Sequence, residues 1–302
     1  MGLRFAPPAP PLAALVASIW DCELPRQAHA LERLLPSSRP QLVINLEADE
    51  TRFYDEAMRC TRHAGAVFDA PASRWQLIDT AEQVRVMGVV FHAGAAAAFF
   101  RERMDTVADG HVDLDALALA PATSSGLRER LLEAAGAPAR LRILHDWLLR
   151  QAPAGASRAP ALVHALRLID AAPGVQRIDA VASACGLSPR RLGELFRQQV
   201  GLSPKRHARL QRFHGALSAA RRDGRIDWAG LAVDAGFHDQ AHLVHEFRAF
   251  CGMTPTEWAA RRGSGSATCR CRTERRNLQD RALMALHDAG AGYAAPAPGA
   301  SP

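Results

Sequence analysis

The stretch Val181–Pro204, VASACGLSPRRLGELFRQQVGLSP, is followed by a second version of itself at Leu231–Pro255, LAVDAGFHDQAHLVHEFRAFCGMTP. Ala182, Gly186 and Leu187 align with Ala232, Gly236 and Phe237 at an offset of 50. One inserted residue later, Leu192, Phe196, Arg197, Gly201, Ser203 and Pro204 align with Leu243, Phe247, Arg248, Gly252, Thr254 and Pro255 at an offset of 51. Each copy reads as a short helix, a glycine turn, a longer helix and a glycine stop. That is the pattern of a helix-turn-helix, whose second helix fits a DNA major groove. Gly186 and Gly236 suit a turn that needs positive φ. Ser188 is placed to cap the second helix of the first copy, with Pro189 at its first helical position, and Asp239 or His238 starts the equivalent helix of the second. Thr254 and Glu257 form a capping box.

The helix opening at Pro204 is predicted to run to about Arg222, ended by Asp223 and Gly224. Nineteen residues span roughly 28 Å, a rod able to hold two recognition helices about one DNA turn, roughly 34 Å, apart. Leu210, Phe213 and Leu217 are expected to form an apolar stripe serving both units. On the recognition helices, Leu192, Leu195 and Phe196, and then Leu243 and Phe247, share a face expected to point inward. The remaining faces offer Ser188, Arg190, Arg191, Glu194 and Gln198 in the first copy, and Gln240, His242, His245 and Arg248 in the second. Lys205, Arg206 and Arg209 lie on the rod. These side chains suit base edges and phosphates.

Residues 160–262 resemble the DNA-binding domain of the AraC/XylS family of bacterial transcription regulators. The resemblance is carried by A-x-x-x-G-x-S-x-R-x-L-x-x-x-F (Ala182 to Phe196), VGLSP (200–204), RLQRF (209–213) and GFHDQAHLVHEFRAFCGMTP (236–255). It implies seven helices, two helix-turn-helix units joined by a long helix, and double-stranded promoter DNA as partner. Glu194 and His245 stand where that family often has Arg. The resemblance leaves open a small-molecule effector, RNA polymerase and a second copy of the chain as further partners.

Charge is distributed as DNA binding requires. Residues 157–263 hold 16 Lys and Arg against 9 Asp and Glu, whereas residues 1–156 hold 16 against 19. No run reaches the length of a membrane span. Cysteines 22, 60, 185, 251, 269 and 271 form no C-x-x-C pair, which favours a reduced, cytoplasmic setting.

Residues 1–152 read as a separate domain, followed by a linker at 153–159. QLVINLE (41–47), RWQLID (74–79) and QVRVMGVVF (83–91) are predicted strands. Helices are expected over 93–103, 123–135 and 138–151. The reading is α+β overall: a cupin-like β-barrel with appended helices, then an all-α domain, then a disordered tail over 263–302. LLPSSRPQLVIN (34–45) and GVVFHAG (88–94) resemble an uncharacterised domain often found ahead of this DNA-binding type. The alternative of a metal-dependent cupin enzyme needs clustered ligands. His29, His63, His92 and His111 are isolated in sequence, so neither metal, cofactor nor catalysis is expected. A fused DNA-repair methyltransferase lacks its cysteine cluster. A third alternative is an architectural DNA-binding protein whose N-terminal domain only dimerises.

Overall fold

Continuous apolar runs decide the N-terminal half. Val86–Phe91 and Leu42–Ile44 have no polar side to give to water, which is the mark of strands covered on both faces. The computed structural model describes residues 2–26, 30–100, 102–117, 126–153, 155–222, 226–263 and 270–271. Its strands are β1 (Gly2–Ala6), β2 (Val16–Glu23), β3 (Leu31–Leu34), β4 (Gln41–Asn45), β5 (Glu50–Tyr54), β6 (Cys60–Ala64), β7 (Ala66–Asp69), β8 (Gln76–Asp79), β9 (Arg85–Phe91), β10 (His111–Asp113) and β11 (Arg270–Cys271). One sheet runs β1-β2-β9-β4-β7-β10 and the other β11-β3-β8-β5-β6. Every pairing is antiparallel except that of β11 with β3.

The larger sheet is sandwiched. One face turns Trp20, Val43, Val67, Val86 and Val90 toward Phe53 and Ile78 of the smaller sheet. The other turns Ile19, Leu42, Ile44, Phe68, Met87, Val89 and Phe91 toward helices. Those are α1 (Met104–Val107), α2 (Leu127–Leu132) and α3 (Ala137–Gln151). Leu144, Trp147 and Leu148 of α3 complete that core. Asp21, buried in β2, is clasped by Arg140 of α3, with Nε to Oδ2 at 2.6 Å and Nη2 to Oδ1 at 3.0 Å. A bidentate pair of this kind is what makes a buried carboxylate tolerable.

Among the described residues of 93–103 the expected α-helix does not form, and a 3₁₀ turn stands at Ala96–Ala98. Phe99 and Phe100 are both buried, against Phe91 and, for Phe100, Phe68. Neighbouring side chains on an α-helix diverge by about 100°, so the irregular turn lets two consecutive rings enter one core. The helix expected over 123–135 is short, with 123–125 outside the described residues.

Among the described residues of 160–263 the regular elements are all helices: α4 (Pro160–Ala171), α5 (Ile178–Ala184), α6 (Pro189–Val200), α7 (Pro204–Arg222), α8 (Trp228–Asp234), α9 (Gln240–Cys251) and α10 (Pro255–Gly263). Asp223 and Gly224 lie outside the described residues, as do His29 and most of the expected tail, β11 excepted. Among the described residues no helix is long and apolar enough to cross a membrane. The rod's apolar stripe is less shared than its sequence suggests. Leu210, Phe213 and Leu217 all enter the core around α9 and α10, while the core around α4, α5 and α6 takes only Ala208 from α7. Fully buried His207 fills the gap edge-on to Phe196 and bonds Asp170 at 2.9 Å.

Candidate nucleic-acid interface

The two copies close with the same hydrogen bonds. Leu187 N–H reaches back to Ala182 O and Gly186 N–H to Ser183 O, at 2.9 and 3.0 Å. Phe237 N–H to Ala232 O and Gly236 N–H to Val233 O repeat this at 2.8 and 2.9 Å. This double capping needs a left-handed residue, and the glycines supply it at φ +67° and +75°. Ala182 and Ala232 are both fully buried beneath the turns, where a larger side chain would force the helices apart.

Each recognition helix then starts on a side-chain cap. Ser188 Oγ accepts from Arg191 N at 3.2 Å, and Asp239 Oδ1 accepts from His242 N at 2.7 Å. The His242 amide and the adjacent His238 ring hold the Asp239 carboxyl below its usual range. Leu192, Leu195, Phe196 and Val200 bury one face of α6, and Leu243, Phe247, Phe250 and Cys251 one face of α9. What remains outside is the candidate reading surface.

On α6 that surface is Arg190, Arg191, Glu194 and half-buried Gln198. The Arg190 and Arg191 side chains are 90 % and 58 % exposed. Both lean on Glu194, with Arg190 Nε at 3.2 Å and Arg191 Nη1 at 3.4 Å from its carboxylate. Those two bonds hold Glu194 below the usual carboxylate range. On α9, Gln240, His245 and Arg248 are exposed, and Lys205 is exposed at the head of α7.

Three of the residues that sequence places at DNA also have partners within the protein. Arg206 donates Nη2 to Ser73 O at 2.9 Å and sits over the Phe250 ring. Arg209 chelates Glu246, whose side chain is 2 % exposed. His242 does not share an outward face with His245. Its ring meets Phe237 edge-on, accepts from His238 N–H at 3.3 Å, and lies 3.9 Å from Glu246. Arg177, which precedes α5 with its side chain 83 % exposed, is a basic residue that the repeat pattern did not mark.

Between the two units lies an open cavity of about 700 Å³, lined by Arg177 beside α5, by Lys205, Arg209 and Arg212 of the rod, and by His242 and Glu246 of α9. Arg212 spans it, donating Nη1 to Gly236 O at 3.0 Å.

The N-terminal domain holds a cavity of about 20 Å³ among Leu34, Gln41, Asp69 and Gln76, room for about one water. Two of the isolated histidines meet in space. His63 bonds Asp113 at 3.1 Å, His111 lies 3.4 Å from Asp69, and their rings are 5.5 Å apart. Phe53 stacks on His111 at 3.5 Å. Among the described residues no group of three or more His, Cys, Asp or Glu is arranged to hold a metal.

Residues 181–261 match the family model of a helix-turn-helix domain, and residues 4–113 match that of a domain of unknown function (DUF6597). Similar solved structures include a transcriptional regulator of the AraC-type DNA-binding group from Chromobacterium violaceum, 25% identical over 35% of this chain and 96% of its own, with a TM-score of 0.32. A DNA-binding transcriptional dual regulator from Escherichia coli K-12 is 23% identical over 34% of this chain and 93% of its own, with a TM-score of 0.31. ToxT from Vibrio cholerae is 8% identical over 85% of this chain and 98% of its own, with a TM-score of 0.43. No curated protein matches the chain.

Proposed function

We propose, on the premise that residues 181–261 are a helix-turn-helix domain of the AraC type, that this chain is a transcriptional regulator that reads two successive stretches of one promoter duplex. The observation that carries the reading is the repetition of one device. Two recognition helices, each capped by a side chain and each preceded by the same glycine closure, stand on one 19-residue rod. Arg190 and Arg191 in the first unit and Gln240, His245 and Arg248 in the second are the residues assigned to bases and phosphates. Lys205 is assigned to phosphate. The N-terminal domain is assigned a regulatory role, through a small molecule, RNA polymerase or a second copy of the chain. We assign it no catalysis.

The test is selection of duplexes from a randomised library by the full-length protein, followed by affinity measurements across a salt series. Two enriched blocks about one helical turn apart, with affinity falling steeply as salt rises, are expected. Absence of enrichment together with salt-independent binding overturns the reading.

A further inference from the structure

The two helix-turn-helix units are separate bodies on one rod. Their cores share no residue: Leu162, Leu166, Leu192 and Phe196 build one, while Leu210, Phe213, Phe247 and Trp258 build the other. The open cavity lies between them. Apart from the rod, the units meet where Arg212 reaches from beside Gly174 to Gly236 O and where Gly236 approaches Pro173 and Val175, a narrow joint beside the cavity.

A single segment of the N-terminal domain bears on both. It meets them at corresponding points, Gly201 and Gly252, the left-handed residues that end α6 and α9 at φ +81° and +68°. A Cβ on Gly201 would stand 3.0 Å from Met104 O and 3.3 Å from the Pro71 side chain. A Cβ on Gly252 would stand 2.5 Å from the Trp75 indole. Between these two contacts Arg206 of the rod donates to Ser73 O. The order of contacts along the segment therefore runs first unit, rod, second unit.

The segment is itself held at each step. Ala72 N–H bonds Ser37 O at 2.8 Å and Asp109 N–H bonds Pro71 O at 3.0 Å. Ser73 Oγ donates to Asp109 Oδ2 at 2.8 Å. The Arg33 guanidinium covers the Trp75 ring at 3.8 Å and also donates to Cys251 O. A bar fixed in this way resists sliding, and both recognition helices rest against it.

We propose that the segment from Pro71 to Gln76 sets the separation of the two recognition helices, with Trp75 a positioning residue that determines which spacing between DNA blocks is accepted. The inference rests on the DNA-binding reading above. One base pair inserted between the blocks moves the second by about 3.4 Å and turns it by about 35°. A protein whose units are braced must pay that displacement in lost contacts, whereas one whose units swing follows it.

The experiment uses the full-length protein and a duplex selected by it from a randomised library, with one base pair inserted or removed between the two enriched blocks. Wild type is expected to lose about tenfold in affinity on either change, the scale of a single mismatched base pair. Trp75→Ala is expected to lose less than about threefold. Trp75→Leu, which keeps apolar bulk and folds where alanine fails, is expected to behave likewise, and Trp75→Phe to restore the preference. Affinity for a duplex with one block should be the same in all four proteins, which separates a change of spacing from a loss of DNA contact. Unchanged spacing preference in the alanine and leucine variants overturns this proposal alone. Failure of wild type to select any duplex overturns it together with the functional reading.

Discussion

Glu246, 2 % exposed, is clasped by Arg209, with Nη2 at 2.7 Å from Oε1 and Nε at 3.1 Å from Oε2. The pair ties the rod to the second recognition helix, and its two halves are unequally sheltered, since Arg209 keeps 27 % of its side chain exposed. Arg209→Met strands a buried carboxylate and is expected to cost about 3 kcal/mol. Glu246→Leu leaves a guanidinium that still reaches water and should cost less. The double variant should regain much of the loss, because a well-packed apolar pair of similar volume removes the unpaired charge. Denaturant unfolding of the three variants measures this; an additive double variant refutes the coupling.

Glu194 lies beside both reading arginines on α6. Its carboxylate takes hydrogen bonds from Arg190 and Arg191, which lower its pKa from the usual carboxylate value. A duplex approaching this face meets one negative charge on the protein and two cations already engaged. Glu194→Gln is expected to raise affinity for all sequences alike and to steepen the dependence on salt by about one phosphate contact. Titration of wild type and variant on selected and unrelated duplexes decides it, and an unchanged slope removes Glu194 from the interface.

The two halves of the chain were legible to different degrees, for physical reasons. The C-terminal half is built from local signals. Ser188, Asp239, Gly186, Gly236, Gly201 and Gly252 each act within a few residues of themselves, so caps, turns and stops can be read in order along the chain. The partners that engage Arg206 and Arg209 within the protein, Ser73 and Glu246, lie 133 and 37 residues away, beyond the reach of any local pattern. Strand β9 announced itself as an unbroken apolar run, but β2 did not. Its Asp21 looks like a residue for water until Arg140, 119 residues on, is seen beside it. Strand β6, CTRHA, is largely exposed and offers no apolar alternation. The stretch after Ala93 has helical composition, yet the packing of Phe99 and Phe100 overrides local propensity.

Arg190 and Arg191 occupy the first turn of α6, the part of a recognition helix that reaches base edges. At least one is expected to grip a guanine, a contact worth about 1–3 kcal/mol of discrimination. Arg191→Ala and Arg190→Ala are to be compared on the selected duplex and on versions changed one base pair at a time. Base contact predicts that one variant loses its preference at one position only. Uniform weakening over all sequences in both variants assigns the two arginines to phosphate instead.

His92 links acidity to the joint between the domains. It directly follows β9, and the next two residues touch the first helix-turn-helix unit: Ala93 enters its core, and a Cβ on Gly94 would stand 2.5 Å from Leu162. Burial, then the nearby Arg158 and Arg39 charges, lower the His92 pKa to about 4. An unfolded histidine takes up its proton near pH 6.5. Between those two values the unfolded chain binds a proton that the folded chain refuses, so stability falls as pH falls, and it is undiminished above about 6.5. The loss that His92 contributes by pH 4 is up to about 3 kcal/mol, at roughly 1.4 kcal/mol for each pH unit between the two values. His92→Asn removes this proton uptake and keeps a polar group at the site. Melting temperatures of wild type and variant at pH 7 and pH 4.5 are therefore expected to diverge, with wild type falling further. Parallel falls in the two proteins would place the acid sensitivity elsewhere.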